Sequence, residues 1–156
     1  MPRQRLADRI NFTVLSVALV VSAIDAVTKS VARRTLATHA VHLGGVVWLR
    51  LQFNSGVSFS FNSTGPQVTT VLTVVVAVAV VVVGLLAHRG AAAAGFGLLI
   101  GGGVANVIDR LAANPHRVTD FIALGSFPDF NLADAAITVG FVTLLVVALR
   151  GERLLA

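Results

Sequence analysis

The sequence predicts a membrane protein of the all-α class, with four transmembrane helices and a small β-sheet outside the membrane. Three observations support this prediction: the overall composition, four long apolar segments, and one segment in which apolar and polar residues alternate. Hydrophobic residues make up 56% of the 156 residues and charged residues only 12%, whereas a typical soluble domain has about 25% charged residues. So few charges could not cover the apolar surface of a soluble fold. We expect a single integral membrane domain covering residues 1–156.

Four apolar segments have the length of a membrane-crossing helix, which needs about 20 residues. They cover approximately residues 10–29, 68–87, 91–108 and 132–149. The second segment is rich in valine, which favours strands in water. In lipid an isolated strand would leave its backbone groups without hydrogen bonds, so a helix is expected there too. The third segment is rich in glycine, which we interpret as allowing close helix packing.

The segment between the first two helices alternates with a period of two, which is typical of β-strands. In residues 47–54 the odd positions are all apolar, and the even positions hold Trp, Arg, Gln and Asn. We expect strands within residues 41–61, with a turn at 54–56, on the outer membrane surface. Trp48 suits that interface, where its ring is half wet. Residues 109–130 are expected to form a loop.

The charged residues predict how these helices are oriented in the membrane. Basic residues divide equally between the two sides, but those assigned to the cytoplasm lie in much shorter segments. Because basic residues concentrate in short cytoplasmic loops, we predict that both termini are cytoplasmic. The net charge of +5 suits contact with anionic membrane lipid. No basic patch is interleaved with aromatic residues, which argues against nucleic-acid binding.

Polar residues gather at the predicted outer ends of the helices and form the candidate site. Polar side chains at membrane-spanning segments are costly, so a cluster of them suggests function. All of them are expected at one depth, the outer interface, and the cytoplasmic ends have no comparable cluster. The set is Asp25, Lys29, Asn54, Ser58, Asn106, Asp109, Arg110, Asp120, Asn131 and Asp134.

The available side chains limit the chemistry of this cluster. The sequence has no cysteine, which removes thiol nucleophiles and thiolate metal ligands. None of the four histidines lies in a recognisable serine-triad motif, and His39 and His42 lack a nearby third ligand for zinc. Carboxylates in excess remain, and two carboxylates that share one proton can form an aspartyl protease dyad.

Each member of the cluster also has a purely structural interpretation. Asn131 could cap the fourth helix, with Asp134 completing a variant capping box. Asp25 and Lys29 are four residues apart, which is the spacing of a helical ion pair. A small transporter or proton channel is the rival function, but it predicts acids near mid-membrane and on both sides. These alternatives remain open on the residues alone.

Five short motifs, in order along the chain, resemble those of lipoprotein signal peptidase (signal peptidase II). Residues 25–29 are similar to D-x-x-T-K and residues 54–60 to N-x-G-x-A-F-S. Residues 101–110 are similar to G-G-x-x-G-N-x-x-D-R, residues 118–121 to V-x-D-F and residues 130–134 to F-N-x-A-D. Each motif alone is weak, but together they cover the whole chain.

The resemblance implies a membrane aspartyl endopeptidase in which Asp120 and Asp134 are the catalytic pair. It implies a prolipoprotein substrate whose cysteine already carries diacylglycerol, cut just before that cysteine at the outer face of a bacterial cell membrane. It implies no cofactor and no metal, and we expect a monomer. The other motif residues are expected to bind substrate or support the site: Asp25, Lys29, Asn54, Gly56, Asn106, Asp109, Arg110 and Asn131.

Three features depart from the family pattern. Ala105 stands where the family usually has glycine, and Ser58 where it usually has alanine. The spacing between Asp109 and Asp120 is longer than the commonest pattern by two residues. Because surface loops tolerate insertions, we expect the longer spacing to change the shape of the loop and to leave the catalytic pair in place.

Overall fold

The computed structural model describes residues 11–55, 65–113 and 117–156. Gly56, Ser58 and the predicted strand residues after position 55 therefore lie outside the described part. The described elements comprise four helices and four strands. In chain order they are α1 (Phe12–Thr35), β1 (Val41–Gly44), β2 (Val47–Asn54), α2 (Gly65–Gly84), α3 (Ala91–Ala112), β3 (Val118–Leu124), β4 (Phe127–Phe130) and α4 (Leu132–Leu149).

Three of these helices, α1, α3 and α4, are long and apolar enough to cross a membrane. In α2 the apolar stretch whose side chains are described is Thr70–Gly84, which is shorter than the roughly 20 residues of a full crossing. The described part of the chain is thus mostly helical, with a small sheet, and it has three candidate membrane spans.

Two helices extend further than the sequence predicted. Helix α1 was expected to end at Lys29, but it continues to Thr35, with Arg33 and Arg34 in its last turn. Cations interact favourably with the carboxyl end of a helix, so these two charges stabilise the last turn of α1. The prediction placed the end too early because the sequence becomes less hydrophobic after Lys29. Helix α3 likewise runs four residues past the predicted position 108.

The sheet is antiparallel and has the order β1-β2-β3-β4. Strand β2 lies within the segment predicted from alternation, whereas β3 and β4 lie in residues 109–130, which were predicted to be a loop. That prediction was wrong because residues 118–121 are buried in succession, so no alternation between polar and apolar residues marks the strand. Gly125, with a φ of 56°, forms the turn between β3 and β4.

Glycines of α3 let its backbone approach two neighbouring helices, which confirms the packing interpretation. A Cβ atom at Gly97 would lie 2.6 Å from the Cβ of Val17 in α1, and one at Gly101 would lie 2.7 Å from the Cβ of Val21. Gly102 instead faces the backbone of Ala133 in α4. The site residues on α1, α3 and α4 can therefore meet across short distances.

One face of the sheet packs against the end of α1. Phe121 of β3 forms a buried cluster with Ala32 and Leu36, and Leu49 and Leu51 of β2 pack against it. Because successive residues of a strand point to opposite faces, Asp120 lies on the other face, beside its paired residue in β2, Gln52. The sheet therefore covers the end of α1 with one face and presents a polar face on the other.

Candidate active site

The two candidate catalytic carboxylates come from different elements and are joined by one asparagine. Asp120 lies in β3, and Asp134 lies in the first turn of α4. The side-chain Nδ2 of Asn131 donates a hydrogen bond of 2.7 Å to Asp120 Oδ1. The backbone N of the same residue donates one of 3.1 Å to Asp134 Oδ2. Both carboxyl groups are therefore within hydrogen-bonding distance of one residue.

Asn131 also caps α4, so the structural interpretation of this residue is confirmed. Its Oδ1 accepts a hydrogen bond of 3.0 Å from the backbone N of Asp134, and the two residues form a capping box. Because the oxygen is held by the helix, the amide NH₂ group must face Asp120. One side chain therefore caps α4 and binds Asp120, and Asn131 is fully buried.

Asn106 of α3 holds the other oxygen of Asp134. Its Nδ2 donates a hydrogen bond of 2.8 Å to Asp134 Oδ1, and its Oδ1 accepts one of 2.7 Å from Lys29 Nζ. The ammonium group of Lys29 is a donor only, so it fixes which end of the Asn106 amide faces Asp134. Lys29 thus orients Asp134 through one intermediate residue.

The predicted ion pair between Asp25 and Lys29 is confirmed, and both side chains are only 1% exposed. Lys29 Nζ lies 2.7 Å from Asp25 Oδ2, and Asp25 Oδ1 accepts a hydrogen bond of 2.8 Å from the backbone N of Ala133 in α4. A buried ion pair adds little net stability, since burial removes both charges from water. Its effect here is to fix α1 against the start of α4.

Asp109 is bound to the start of β3, and its hydrogen bonds within the described residues go to Thr119 and Arg33. Its Oδ2 accepts a hydrogen bond of 2.7 Å from the backbone N of Thr119, and its Oδ1 lies 2.9 Å from Arg33 Nη1. Lys29 Nζ is 3.6 Å from Asp109 Oδ2. Asp109 therefore supports the site from the side of β3.

Asp120 has an environment that favours its protonated form. It is 1% exposed, and burial raises the pKa of Asp120 to about 6, with the nearby negative charge of Asp134 acting in the same direction. Hydrogen bonds from Asn54 and Asn131 and the charge of Lys29 lower the pKa, but they offset only part of the effect. Asp120 can therefore gain or lose a proton near neutral pH.

A polar cavity of about 660 Å³ lies on the exposed face of the sheet, with Asp120 in its wall. Asn54 of β2 lines the same cavity, and its side chain forms a hydrogen bond with Asp120. Arg50 of β2 and Asp129 near the end of β4 line the same cavity and form two hydrogen bonds of 2.7 and 2.6 Å. Since β3 lies between β2 and β4, this ion pair spans β3 close to Asp120.

Arg110 connects the carboxylates to helix α2. Its guanidinium group interacts electrostatically with both Asp120 and Asp134, and its Nη1 donates a hydrogen bond of 3.1 Å to Thr73 Oγ1. Thr73 also lines an apolar cavity of about 350 Å³ formed by α2, α3 and α4. Asp120 thus lines the polar cavity, and the hydrogen-bond partner of Arg110 lines the apolar cavity.

In the described part of the chain, Asp120 and Asp134 accept hydrogen bonds from asparagine side chains and from the backbone of Asn131. No cluster of three or more His, Asp or Glu residues is placed there to bind a metal ion. The arrangement contains groups that acid–base chemistry uses, namely two carboxyl groups bonded to one asparagine, one of which has a raised pKa and lines a cavity.

Sequence reasoning missed Arg33 and Thr119 as site residues. A usable signal was present, because Asp25, Lys29 and Arg33 are spaced four residues apart and therefore share one helix face. The predicted end of α1 at Lys29 hid that signal. Thr119 was missed because its strand was predicted to be a loop.

The described part of the chain defines a mostly helical fold with three candidate membrane spans and a small antiparallel sheet. Two solved structures of a bacterial membrane enzyme superpose on this fold, each covering 88% of this chain at 24% sequence identity. Their TM-scores are 0.73 and 0.74, over 88% and 92% of those chains.

Comparison of sequences identifies the family. The family model for signal peptidase (SPase) II matches residues 17–150. Lipoprotein signal peptidase of Rhodococcus jostii is 33% identical over 96% of this chain and 79% of that protein. The protein of the same name from Mycobacterium tuberculosis H37Rv is 36% identical over 88% of this chain and 71% of that protein. The chain belongs to the signal peptidase II family, so it is a membrane peptidase.

Proposed function

We propose that the chain is an aspartyl endopeptidase that removes signal peptides from diacylglyceryl-modified prolipoproteins, cutting just before the lipid-modified cysteine. The observation that most supports this proposal is the hydrogen bonding of Asp120 and Asp134 to the same buried residue, Asn131. Two carboxyl groups held in this way can share a proton, as an aspartyl protease requires. Membership of a peptidase family supplies the reaction class.

The proposed mechanism uses a water molecule between the two carboxyl groups. The ionised member removes a proton from that water, which attacks the scissile carbonyl carbon, while the protonated member donates a hydrogen bond to the carbonyl oxygen. A proton then passes to the leaving amine as the peptide bond breaks. Because the pair titrates as a unit, the two roles are assigned to the pair and not to Asp120 or Asp134 individually.

The two cavities suit a substrate that is part peptide and part lipid. The polar cavity beside Asp120 offers room for an extended peptide segment, and Asn54 in its wall can hydrogen-bond the peptide backbone. The apolar cavity lined by Thr73, the hydrogen-bond partner of Arg110, is compatible with hydrocarbon. Arg110, Asn106 and Asn131 would hold the pair, and Gly56, which lies outside the described residues, stays a predicted site residue.

The proposal includes four membrane crossings and an active site at the outer interface. The site residues lie near the carboxyl ends of α1 and α3 and at the amino end of α4, so α1 and α3 must run in the same direction. The chain has to return across the membrane between them, and α2 lies there. Its 20 residues span about 30 Å as a helix, which matches the hydrocarbon thickness.

With basic residues concentrated in the short loops, this topology places both termini in the cytoplasm of a bacterium and the site on the outer side of its inner membrane. The chain would function as one domain and as a monomer, in contact with lipid and with its prolipoprotein substrate. A site at this interface lets the acyl chains stay in the bilayer while the scissile bond meets water.

The direct test is cleavage of a lipidated prolipoprotein in detergent by purified Asp120→Asn and Asp134→Asn variants. Each is expected to lose at least about 1000-fold in kcat/KM, since removal of one member of a catalytic unit has effects of that order. Glu152→Gln, at an exposed position near the C-terminus, is the control and should match the wild type.

Full activity in either Asp120→Asn or Asp134→Asn contradicts the proposed dyad. Asp109→Asn gives the discriminating comparison, because Asp109 is a further carboxylate of this region, 12% exposed and bonded to the residue before Asp120. If Asp109→Asn abolishes turnover while Asp120→Asn leaves it intact, Asp109 and not Asp120 belongs to the catalytic pair.

A further inference from the structure

Thr119, the residue before Asp120, is held at each of its three polar groups. Its backbone N donates to Asp109 Oδ2 at 2.7 Å, and its Oγ1 accepts from Arg33 Nη1 at 2.8 Å. Its carbonyl oxygen accepts from Asn131 Nδ2 at 3.3 Å. These partners belong to α3, to α1 and to the cap of α4. A single strand residue, 2% exposed, is thus fixed relative to three helices.

Arg33 closes a ring of contacts around this residue. Its Nη1 bonds to Thr119 Oγ1 and also lies 2.9 Å from Asp109 Oδ1, while Asp109 Oδ2 binds the backbone of Thr119. Arg33 itself is 41% exposed and Asp109 only 12%. Asp109 binds the start of β3, and the positive charge that balances its carboxylate therefore comes from the last turn of α1.

The guanidinium group of Arg33 also affects Asp134, through Lys29 and Asn106. The Lys29 ammonium lies 2.7 Å from both Asp25 Oδ2 and Asn106 Oδ1, but 3.6 Å from Asp109 Oδ2. Arg33 is the nearer cation to Asp109, so Lys29 stays with Asp25 and Asn106. Without Arg33 the ammonium would be drawn towards Asp109, away from the amide that orients Asp134.

We propose that Arg33 and Thr119 are positioning residues for the Asp120–Asp134 pair, an inference that rests on the proposed function. The ring formed with Asp109 fixes the start of β3, so that Asp120 faces Asp134 at the distance that one shared proton requires. Neither residue needs to touch the substrate. A displacement of about 1 Å at a reacting group can cost about 100-fold in rate, so loss of the ring should lower turnover much more than substrate binding.

Arg33→Met and Thr119→Val remove the two sides of this contact with little change of volume. With a lipidated prolipoprotein in detergent, each variant should lower kcat about tenfold or more and change KM by less than about twofold. The double variant should be no slower than the slower single variant, because both changes break the same contact. Arg33→Lys should recover part of the lost kcat, since an ammonium group can donate to both Thr119 Oγ1 and Asp109 Oδ1.

Two matched variants separate positioning from general effects. Arg34→Met removes the same charge from the adjacent exposed position and should keep kcat within about twofold of the wild type. Thr119→Ser keeps the hydroxyl group, so it should fold and retain wild-type kcat. It also makes the test independent of whether Thr119→Val folds.

Three results would overturn the proposal. Arg33→Met could be as active as Arg34→Met, the losses of the two single variants could multiply in the double variant, or Thr119→Ser could be as slow as Thr119→Val. These outcomes are distinct from failure of the proposed function, which would appear as a wild-type protein that does not cleave the lipidated substrate at all.

Discussion

Asn131 is the residue at which local structure and chemistry coincide. One side-chain atom caps α4 and the other binds Asp120, while its backbone N binds Asp134. Helix caps are usually explained by stability alone, and an asparagine before a helix gives no sign of a second role. Here the length of the asparagine side chain matters, because it must reach β3 as well as the first turn of the helix.

Substitution of Asn131 should separate these two roles. Serine is also a good cap but is too short to reach Asp120, so Asn131→Ser should lose most activity and yet be about 1 kcal/mol more stable than Asn131→Ala, which also lacks the cap. Asn131→Ala should lose activity and about 1 kcal/mol or more of stability. Cleavage assays and thermal unfolding in detergent measure both quantities, and full activity in Asn131→Ser would contradict the shared role.

The raised pKa of Asp120 predicts a dependence of stability on pH. The pKa of about 6 in the folded protein lies above the value near 3.9 in an unfolded chain. Between these values the folded state binds more protons, so the contribution of Asp120 is present below about pH 4 and is lost as the pH rises through 6. The size of this loss is at most about 3 kcal/mol.

Comparison with Asp120→Asn cancels the contributions of the carboxylates that do not interact with Asp120. The difference in unfolding free energy between wild type and variant should change by up to about 3 kcal/mol between pH 4 and pH 7, with the wild type relatively more stable at pH 4. Denaturation in detergent at several pH values provides the measurement. A difference that is constant with pH would show that Asp120 has an ordinary pKa.

At the scale of elements, the position of α4 depends on how closely α3 approaches it. A side chain at Gly102 would collide with the backbone of Ala133, whereas a Cβ atom at Gly103 would meet nothing within 4 Å. The backbone N of Ala133 also binds Asp25. Packing at one glycine is therefore connected to the geometry of the site.

Two alanine substitutions at adjacent glycines test this dependence. Gly102→Ala should destabilise the protein by about 1–3 kcal/mol, as overpacking does, and should lower activity by displacing the start of α4. Gly103→Ala should leave stability unchanged or raise it by up to about 1 kcal/mol, because alanine is the better helix former. Equal unfolding temperatures for the two variants in detergent would contradict the role assigned to Gly102.

The elements also show where sequence reasoning succeeds and where it fails. Long apolar segments and the alternation in β2 are properties of single segments, so the sequence was enough to predict the helices and this strand. Strand β3 could not be predicted in this way, because it is buried on both faces and polar and apolar residues do not alternate along it. The end of α1 was misplaced because hydropathy falls at Lys29, although the helix continues through Arg33, which binds Asp109 of α3 and Thr119 of β3.

At the scale of the whole molecule, the motifs indicated which residues meet but not how they meet. Asp120, Asp134, Asn106 and Asn131 were expected in one site, and the structure brings them together through hydrogen bonds. The bridging role of Asn131 and the ring formed with Arg33 depend on distances between elements far apart in the chain. Such distances have no signature in a single sequence.

The proposed topology can be tested with single cysteines, because the chain has none of its own. A membrane-impermeant maleimide should label Thr38→Cys, in the connection after α1, in intact cells with a permeable outer layer. Arg89→Cys, in the exposed connection between α2 and α3, should be labelled only after the inner membrane is opened. Equal labelling of both from outside would mean that α2 does not cross the membrane.

The central claim is that Asp120 and Asp134 act as one catalytic unit. The most direct test is kcat/KM of the Asp120→Asn/Asp134→Asn double variant, compared with each single variant on a lipidated prolipoprotein. If the pair is one unit, the double variant should be at most about tenfold below the slower single variant. Losses that multiply, so that each aspartate contributes independently, would contradict the account.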